Sequence, residues 1–119
     1  MSDPVFADLA GKTLRACTGK VGDDEIIFTV NKSSQYKLYH EQDCCENVTI
    51  ADICGDLADL VGTPILQAEE SSKSGSDGEY GESYTWTFYR IATMKGSVVI
   101  RWLGCSNGYY SESVSFVKL

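Results

Sequence analysis

Residues 83–103, which read SYTWTFYRIATMKGSVVIRWL, carry the clearest structural pattern in this chain. Side chains alternate along two segments, and a period of two is typical of β-strands, whose successive side chains point to opposite faces of a sheet. Lys95 and Gly96 stand between the segments as a turn. The stretch therefore predicts an antiparallel hairpin. The alternation separates Tyr84, Trp86 and Phe88 from Thr85, Thr87 and Tyr89, and it separates Val98, Ile100 and Trp102 from Val99, Arg101 and Leu103.

The end of the chain predicts a further hairpin on the second of these strands. A three-residue loop from Ser106 to Gly108 keeps the apolar residues of both arms on one face, whereas a two-residue loop mixes the faces. In this register Glu112 lies opposite Trp102 and shares a face with Tyr110. A carboxylate on an apolar face needs a partner or an opening to solvent. Two interpretations follow: the strand end leaves the core there, or these residues line a concave site.

Shorter signals upstream complete the expected fold. Asp3 and Pro4 predict a short helix near the start, and Asp56 predicts the cap of another over residues 56–61. Residues 69–82 are rich in serine, glycine and acids, so we expect a mobile surface loop there. The fold class expected is a single β-rich α+β domain over residues 1–119, mostly antiparallel sheet of consecutive hairpins with one or two short helices. Further strands are predicted at residues 25–30, 36–40, 48–53 and 64–68.

The composition of the 119 residues is that of a folded, acidic protein. Hydrophobic residues make up 43% and charged residues 23%, and the net charge is −7. The excess of acidic groups lies mostly in the first half of the chain. Such a surface repels phosphate backbones and anionic lipid headgroups, so direct binding to nucleic acid or membrane is not expected. No signal peptide or membrane span is visible in the sequence, which predicts a cytoplasmic protein.

The segment from His40 to Leu57 holds the single histidine and three of the five cysteines, and it joins the N-terminal hairpin to the rest of the chain. Soft ligands in this segment are weak candidates for a zinc site or for a thiol–histidine nucleophile. Paired Cys-x2-Cys motifs are absent from the sequence, and adjacent cysteines in an extended chain project to opposite sides. Structural cysteines, no metal, no cofactor and no enzymatic activity are therefore expected. The weak metal candidates are His40, Cys44, Cys45 and Cys54.

Residues in two places are candidates for contact with a ligand or a partner. Aromatic side chains beside a hairpin tip are typical of a protein-binding surface, and acidic side chains suit a cationic partner. Near the end of the chain the candidates are Trp102, Asn107, Tyr109, Tyr110 and Glu112. In the acidic segment they are Asp43 and Glu46.

Seven runs of the sequence are distinctive: YKLYH at 36–40, QDCCE at 42–46, DICGDL at 52–57, PIL at 64–66, SYTWTFY at 83–89, IRW at 100–102 and SNGYYSE at 106–112. On these runs the chain resembles a family of small acidic proteins from tailed phages and bacterial genomes, for which no activity is assigned. The resemblance covers most of residues 12–117. It implies a cytoplasmic protein made in a bacterium from a phage or prophage gene.

Three functions stay open on this reading. The first is an interaction protein that binds a host protein, for example as an inhibitor of antiviral defence, an analogy that comes from the setting that the resemblance implies. The second is a binding protein or sponge for a nucleotide or metabolite, with Trp102, Tyr110 and Glu112 at its site. The third is a metal- or thiol-dependent enzyme centred on His40, Cys44 and Cys45. The sequence leaves homo-oligomerisation open.

Overall fold

The computed structural model describes residues 4–41, 46–77, 82–106 and 112–119, which form two antiparallel four-stranded sheets. The strands are β1 (Ala16–Thr18), β2 (Glu25–Asn31), β3 (Ser34–Tyr39), β4 (Asn47–Cys54), β5 (Gln67–Asp77), β6 (Glu82–Thr93), β7 (Gly96–Ser106) and β8 (Ser115–Lys118). The smaller sheet has the order β1-β2-β3-β8 and the larger one the order β4-β7-β6-β5. The prediction of a β-rich, mostly antiparallel fold is confirmed.

The prediction of one or two short helices in an α+β fold is wrong in detail. The helical segments in the described part of the chain are two 3-10 turns of four residues each. They span Phe6–Leu9 and Leu57–Leu60. Asp56 caps the second turn as predicted, its carboxylate accepting a hydrogen bond from the Ala58 N–H at 3.0 Å. Asp3, the predicted cap of the first, lies outside the described residues. Neither turn has the length to cross a membrane, and no other helix is present in the described part of the chain.

The hairpin expected from residues 83–103 is present as β6 and β7, which pair from Ser83 opposite Ser106 to Thr93 opposite Gly96. Thr93 lies opposite Gly96, so the turn consists of Met94 and Lys95 and begins one residue earlier than predicted. Side chains along the two strands alternate between the two faces of the sheet in the way that the sequence predicted. Val98, Ile100 and Trp102 form part of the buried face.

The loop expected over residues 69–82 is wrong for residues 69–77, which belong to β5, and for Glu82, which begins β6. This strand pairs with β6 in an unbroken register from Gln67 opposite Ala92 to Asp77 opposite Glu82. Serine, glycine and acidic residues have low intrinsic strand propensity, but an adjacent strand rich in aromatic residues supplies pairing that local propensity does not reveal. Residues 78–81 lie outside the described part.

The expected final hairpin is also wrong, because β8 does not pair with β7. Both sides of β7 are occupied, one by β4 and the other by β6, so no position in the larger sheet is open beside it. The chain instead crosses to the smaller sheet, where Phe116 lies opposite Leu38 of β3. The segment before β8 passes close over β7 at Gly104, where an added Cβ would lie 2.6 Å from the Glu112 carbonyl oxygen. Only glycine admits this approach.

The core lies between the two sheets and is closed by the first 3-10 turn. The ring of Phe6 lies 4.7 Å from that of Tyr89 in the larger sheet, 6.2 Å from that of Phe28 and 5.6 Å from that of Phe116 in the smaller one, measured between ring centres. This single side chain therefore contacts both layers. Fully buried side chains of the core include Leu9, Leu14, Ile26, Phe28, Leu38, Ile50, Leu60, Ile65, Tyr89, Ile91, Ile100 and Trp102.

Candidate binding surface

The outer face of the larger sheet, pointing away from the core, carries three aromatic residues in a row on β6. Tyr84, Trp86 and Phe88, called the aromatic row below, are partly buried but do not belong to the core cluster. The rings of Trp86 and Phe88 are stacked, with centres 6.4 Å apart and planes inclined by 18°. Tyr84 leans across Gly75 of β5, where a side chain would collide with its phenol. Glycine at position 75 therefore lets the row lie flat on the sheet.

Arg101 of β7 is held against the aromatic row. Its guanidinium carbon lies 5.7 Å from the centre of the Trp86 ring, within the range of a cation–π contact. Its Nη2 donates to Oδ2 of Asp52 on β4 at 2.9 Å, and the Cys54 thiol donates to the same oxygen at 3.2 Å. The Cys54 hydrogen bond and then the Arg101 guanidinium lower the pKa of the Asp52 carboxyl, outweighing its partial desolvation. Asp52 thus stays ionised and orients Arg101.

None of the described elements covers the aromatic row. The 3-10 turns contribute Phe6, Leu9 and Leu60 to the core on the opposite face of the sheet. The partly buried apolar residues that pack against the core do not include any member of the row. Three aromatic side chains with an oriented arginine on one face of a sheet are an arrangement typical of protein interfaces, where Trp, Tyr and Arg are enriched.

The sequence contains a signal for this surface, which is the arginine in the alternating pattern of β7. Antiparallel partners share a face, so the residues of β6 that lie opposite Arg101 and Leu103 belong to the same face as that arginine. Phe88 lies opposite Arg101, and Trp86 lies opposite Leu103. An arginine rarely points into a core, which would have marked this face as the outer one.

Trp102, expected in a concave site, has no exposed surface. Its indole lies on the core face of β7, with Thr87 and Ile50 as its neighbours across the sheet. Its side chain is therefore inaccessible to solvent. Among the described residues its Nε1–H has no hydrogen-bond partner, and a buried donor without a partner reduces the stability gained from burying the indole.

Glu112, the second member of that expected site, is bound by hydroxyl groups of the larger sheet. Ser83, Thr85 and Ser106 donate hydrogen bonds to its carboxylate, the one from Thr85 at 2.9 Å. These residues lie at the end of the core face of β6 and β7, beyond Trp102. Burial alone raises the pKa of Glu112, but the bonds from Ser106, Ser83 and Thr85 outweigh it and lower the pKa. The carboxylate thus fastens the segment before β8 to the larger sheet.

This geometry predicts that part of the acid sensitivity of the fold depends on Glu112. A carboxyl whose pKa is lower in the folded state stabilises the fold fully above its unfolded-state pKa, about 4.3 for Glu, and loses that contribution as the pH falls through the folded-state value. The free energy of unfolding should therefore decrease more on acidification in the wild type than in Glu112→Gln. Urea unfolding across the acidic range measures this, with Glu41→Gln, at an exposed carboxylate, as the control. Parallel pH profiles of the wild type and Glu112→Gln would contradict the assignment.

His40 and Glu46 are buried together where the chain passes from the smaller sheet to the larger. Nδ1 of His40 donates to the carbonyl oxygen of Ser113 at 2.8 Å, and Nε2 lies 3.3 Å from Oε1 of Glu46. The side chains of both are nearly inaccessible, so Glu46 offers no acidic surface to a partner. Both ring nitrogens of His40 are engaged, so this histidine links the segment before β8 to the residue that precedes β4.

The weak metal candidates that can be located do not come together. His40 lies beside the start of β4 and Cys54 ends that strand, a separation of roughly 25 Å at 3.3 Å per residue. The Asp52 carboxylate raises the pKa of the Cys54 thiol and keeps it protonated, which makes it a poor nucleophile. Burial raises the pKa of Cys17 to about 12. Within the described ranges, no group of three or more metal-ligating side chains is present.

Six of the predicted site residues lie outside the described part of the chain. They are Asp43, Cys44, Cys45, Asn107, Tyr109 and Tyr110. The predictions made for them, contact with a partner and weak metal ligation, stay predictions.

These observations define a class of protein: a β-rich fold of two antiparallel sheets, the larger of which carries an aromatic surface that none of the described elements covers. Residues 7–116 match the family described as a domain of unknown function, DUF7448, and the chain belongs to that family. The expected membership of a family without an assigned activity is thereby confirmed. Neither the curated proteins nor the solved structures contain a significant match to the chain.

Proposed function

We propose that this protein functions by binding another protein through the aromatic row and Arg101. The observation that supports this is the placement of three aromatic side chains and an oriented arginine together on the sheet face that no described element covers. Residues of these types contribute most of the affinity in protein interfaces. A sheet holds them in place before binding, which reduces the entropy lost in the complex.

A protein partner fits this surface better than a small molecule does. Small-molecule sites are concave and enclose most of the ligand, whereas the aromatic row lies on the face of a sheet. From Tyr84 to Phe88 the row extends about 14 Å, at 3.4 Å per residue. A length of this order matches the central cluster of a protein interface, and rim residues around it complete the contact.

The partner in this proposal is a host protein in the cytoplasm of a bacterium. This setting rests on the resemblance to a family of small acidic proteins from tailed phages and bacterial genomes, for which no activity is assigned. The choice of a host protein comes by analogy, because small acidic phage proteins without enzymatic motifs often bind host factors, including components of antiviral defence. The net charge of −7 favours a partner with a cationic rim around its contact surface and disfavours nucleic acid. An inhibitor of a defence protein is the specific form of the proposal.

The test compares capture of bacterial proteins by the wild type and by matched variants. We expect a stoichiometric partner to be recovered from lysate by the wild type, and its dissociation constant to rise by at least about 30-fold in Trp86→Ala, since loss of a central aromatic anchor costs about 2 kcal/mol or more. Met94→Ala is the control, because Met94 is 81% exposed at the turn of the same hairpin and lies outside the row.

Two outcomes count against this function. One is recovery of no stoichiometric partner from lysates of several bacteria. The other is a partner that binds the wild type, Trp86→Ala and Phe88→Ala with equal affinity while all three unfold at similar temperatures. The second result would move the contact away from the aromatic row.

A further inference from the structure

The larger sheet ends on one side at an open edge formed by β5. Among the described residues, no backbone hydrogen bond joins Gln67–Asp77 to any strand other than β6. The opposite edge is different, because Ile50 of β4 accepts from the Gly22 N–H at 2.8 Å and donates to the Asp23 carbonyl at 2.9 Å. In the part of the chain that the structure describes, one edge of the sheet is thus occupied and the other is not.

The open edge lacks most of the features that prevent pairing with another strand. Natural edge strands are short, or contain proline or a bulge, or carry charged residues. The strand β5 has eleven residues, an unbroken register with β6, and no proline. Residues 69–74 are exposed, and Lys73 is their one basic side chain. The unpaired N–H and C=O groups of such an edge are a template for a further strand.

We propose that a second copy of this chain pairs with β5 through its own β5, in an antiparallel register centred on Ser71. In a symmetric pair of this kind, residues directly opposite each other share a face of the sheet. The side chains of Glu69 and Lys73 both point to the outer face, because they lie opposite Arg90 and Trp86 of β6. Centring on Ser71 places Glu69 opposite the partner's Lys73, and Lys73 opposite the partner's Glu69.

The charges on β5 favour this register over the registers centred on nearby residues. Centring the pair on Glu70 brings two Glu70 carboxylates face to face, and centring it on Lys73 brings two ammonium groups together. Centring on Ser72 leaves Glu69 and Lys73 opposite uncharged residues. Opposite charges across antiparallel strands are stabilising and like charges are destabilising, so the register centred on Ser71 is favoured. The product is a continuous eight-stranded sheet whose two aromatic rows lie on the same face, about 14 Å apart across three strand spacings.

The test is a charge exchange read by analytical ultracentrifugation of the full chain. We expect the wild type to dimerise as its concentration rises, and Glu69→Lys or Lys73→Glu alone to raise the dimer dissociation constant by about 10-fold or more, since each creates two like-charge contacts. The double variant E69K/K73E restores both opposite-charge pairs and should recover the wild-type constant. Glu41→Lys, which changes the net charge as Glu69→Lys does at an exposed site on the connection between the sheets, should leave it unchanged.

Hydrogen exchange of the wild type provides a second measurement that needs no variant. Amides of residues 67–75 should gain protection as the dimer forms, while those of β4 should not change. A wild type that stays monomeric at its highest soluble concentration would overturn the proposal. So would a dimer whose affinity is insensitive to both single variants, or one that the double variant fails to restore although it folds. These outcomes do not depend on a partner from lysate, so they are distinct from failure of the proposed function.

Discussion

Replacing Trp102 with alanine is expected to lower the free energy of unfolding by about 3–5 kcal/mol, the range for removal of a large buried aromatic side chain. Trp102 has 0% exposure and lies on the core face of the central strand β7. Its removal leaves a cavity between the two sheets that rigid neighbouring strands cannot fill. Urea unfolding followed by far-UV circular dichroism measures the loss, provided that the variant retains enough structure for a folded baseline.

Trp86→Ala is the matched control for Trp102→Ala, because it removes the same side chain from the opposite face of the sheet. Trp86 contacts Phe88 and Arg101 but not the core, so its loss should cost well under half of the Trp102 value. Equal losses in the two variants would show that the aromatic row is as important to the fold as the core. That result would also weaken the proposal that the row serves to bind a partner.

Replacing Glu46 with alanine is expected to cost about 3 kcal/mol, because it leaves the partner of a buried polar pair without its acceptor. Glu46 is 6% exposed and His40 8% exposed, so water does not replace the lost interaction. Urea unfolding at neutral pH measures this cost. The variant should also increase the mobility of the segment around Ser113, because His40 donates a hydrogen bond to the carbonyl of that residue. A faster hydrogen exchange of the amides in β8 reports that change.

Two further variants separate the buried pair from general effects of charge. Glu46→Gln keeps an acceptor beside His40 and should lose clearly less stability than Glu46→Ala. Glu41→Ala removes an exposed carboxylate from the same connection and should change stability by no more than about 0.5 kcal/mol. If Glu46→Ala and Glu41→Ala lower the free energy of unfolding by the same amount, the contact between His40 and Glu46 contributes nothing measurable to stability.

The sequence predicted the positions of the strands better than it predicted which strands pair with each other. The strands around residues 25–30, 36–40 and 48–53 and the hairpin of β6 and β7 are present near the expected bounds. The prediction for residues 69–77 was wrong because a strand of low propensity was held by pairing with β6. The prediction for residues 112–117 was wrong because β4 and β6 already occupied both sides of β7. In each case the deciding contact is distant in sequence.

Contacts between segments that are distant in sequence also decide where the candidate site residues lie. Trp102 and Glu112 lie on the core side of the larger sheet, where Glu112 binds hydroxyl groups beyond the buried indole, although its segment does not pair with β7 as the predicted hairpin required. The aromatic row was visible as an alternation, but its exposure depends on which face the smaller sheet covers. His40 was expected as a weak ligand, and its partners Glu46 and Ser113 come from the start of β4 and the segment before β8.

The amino-acid sequence by itself determined that this is an acidic, β-rich chain and determined how the residues of β6 and β7 divide between two faces. That division follows from the local geometry of an extended backbone, in which side chains alternate at every residue. Only the tertiary structure decided which face is buried, that β8 joins β3, and that the edge of β5 stays open among the described residues. These features depend on burial and pairing between distant segments, which local alternation does not encode.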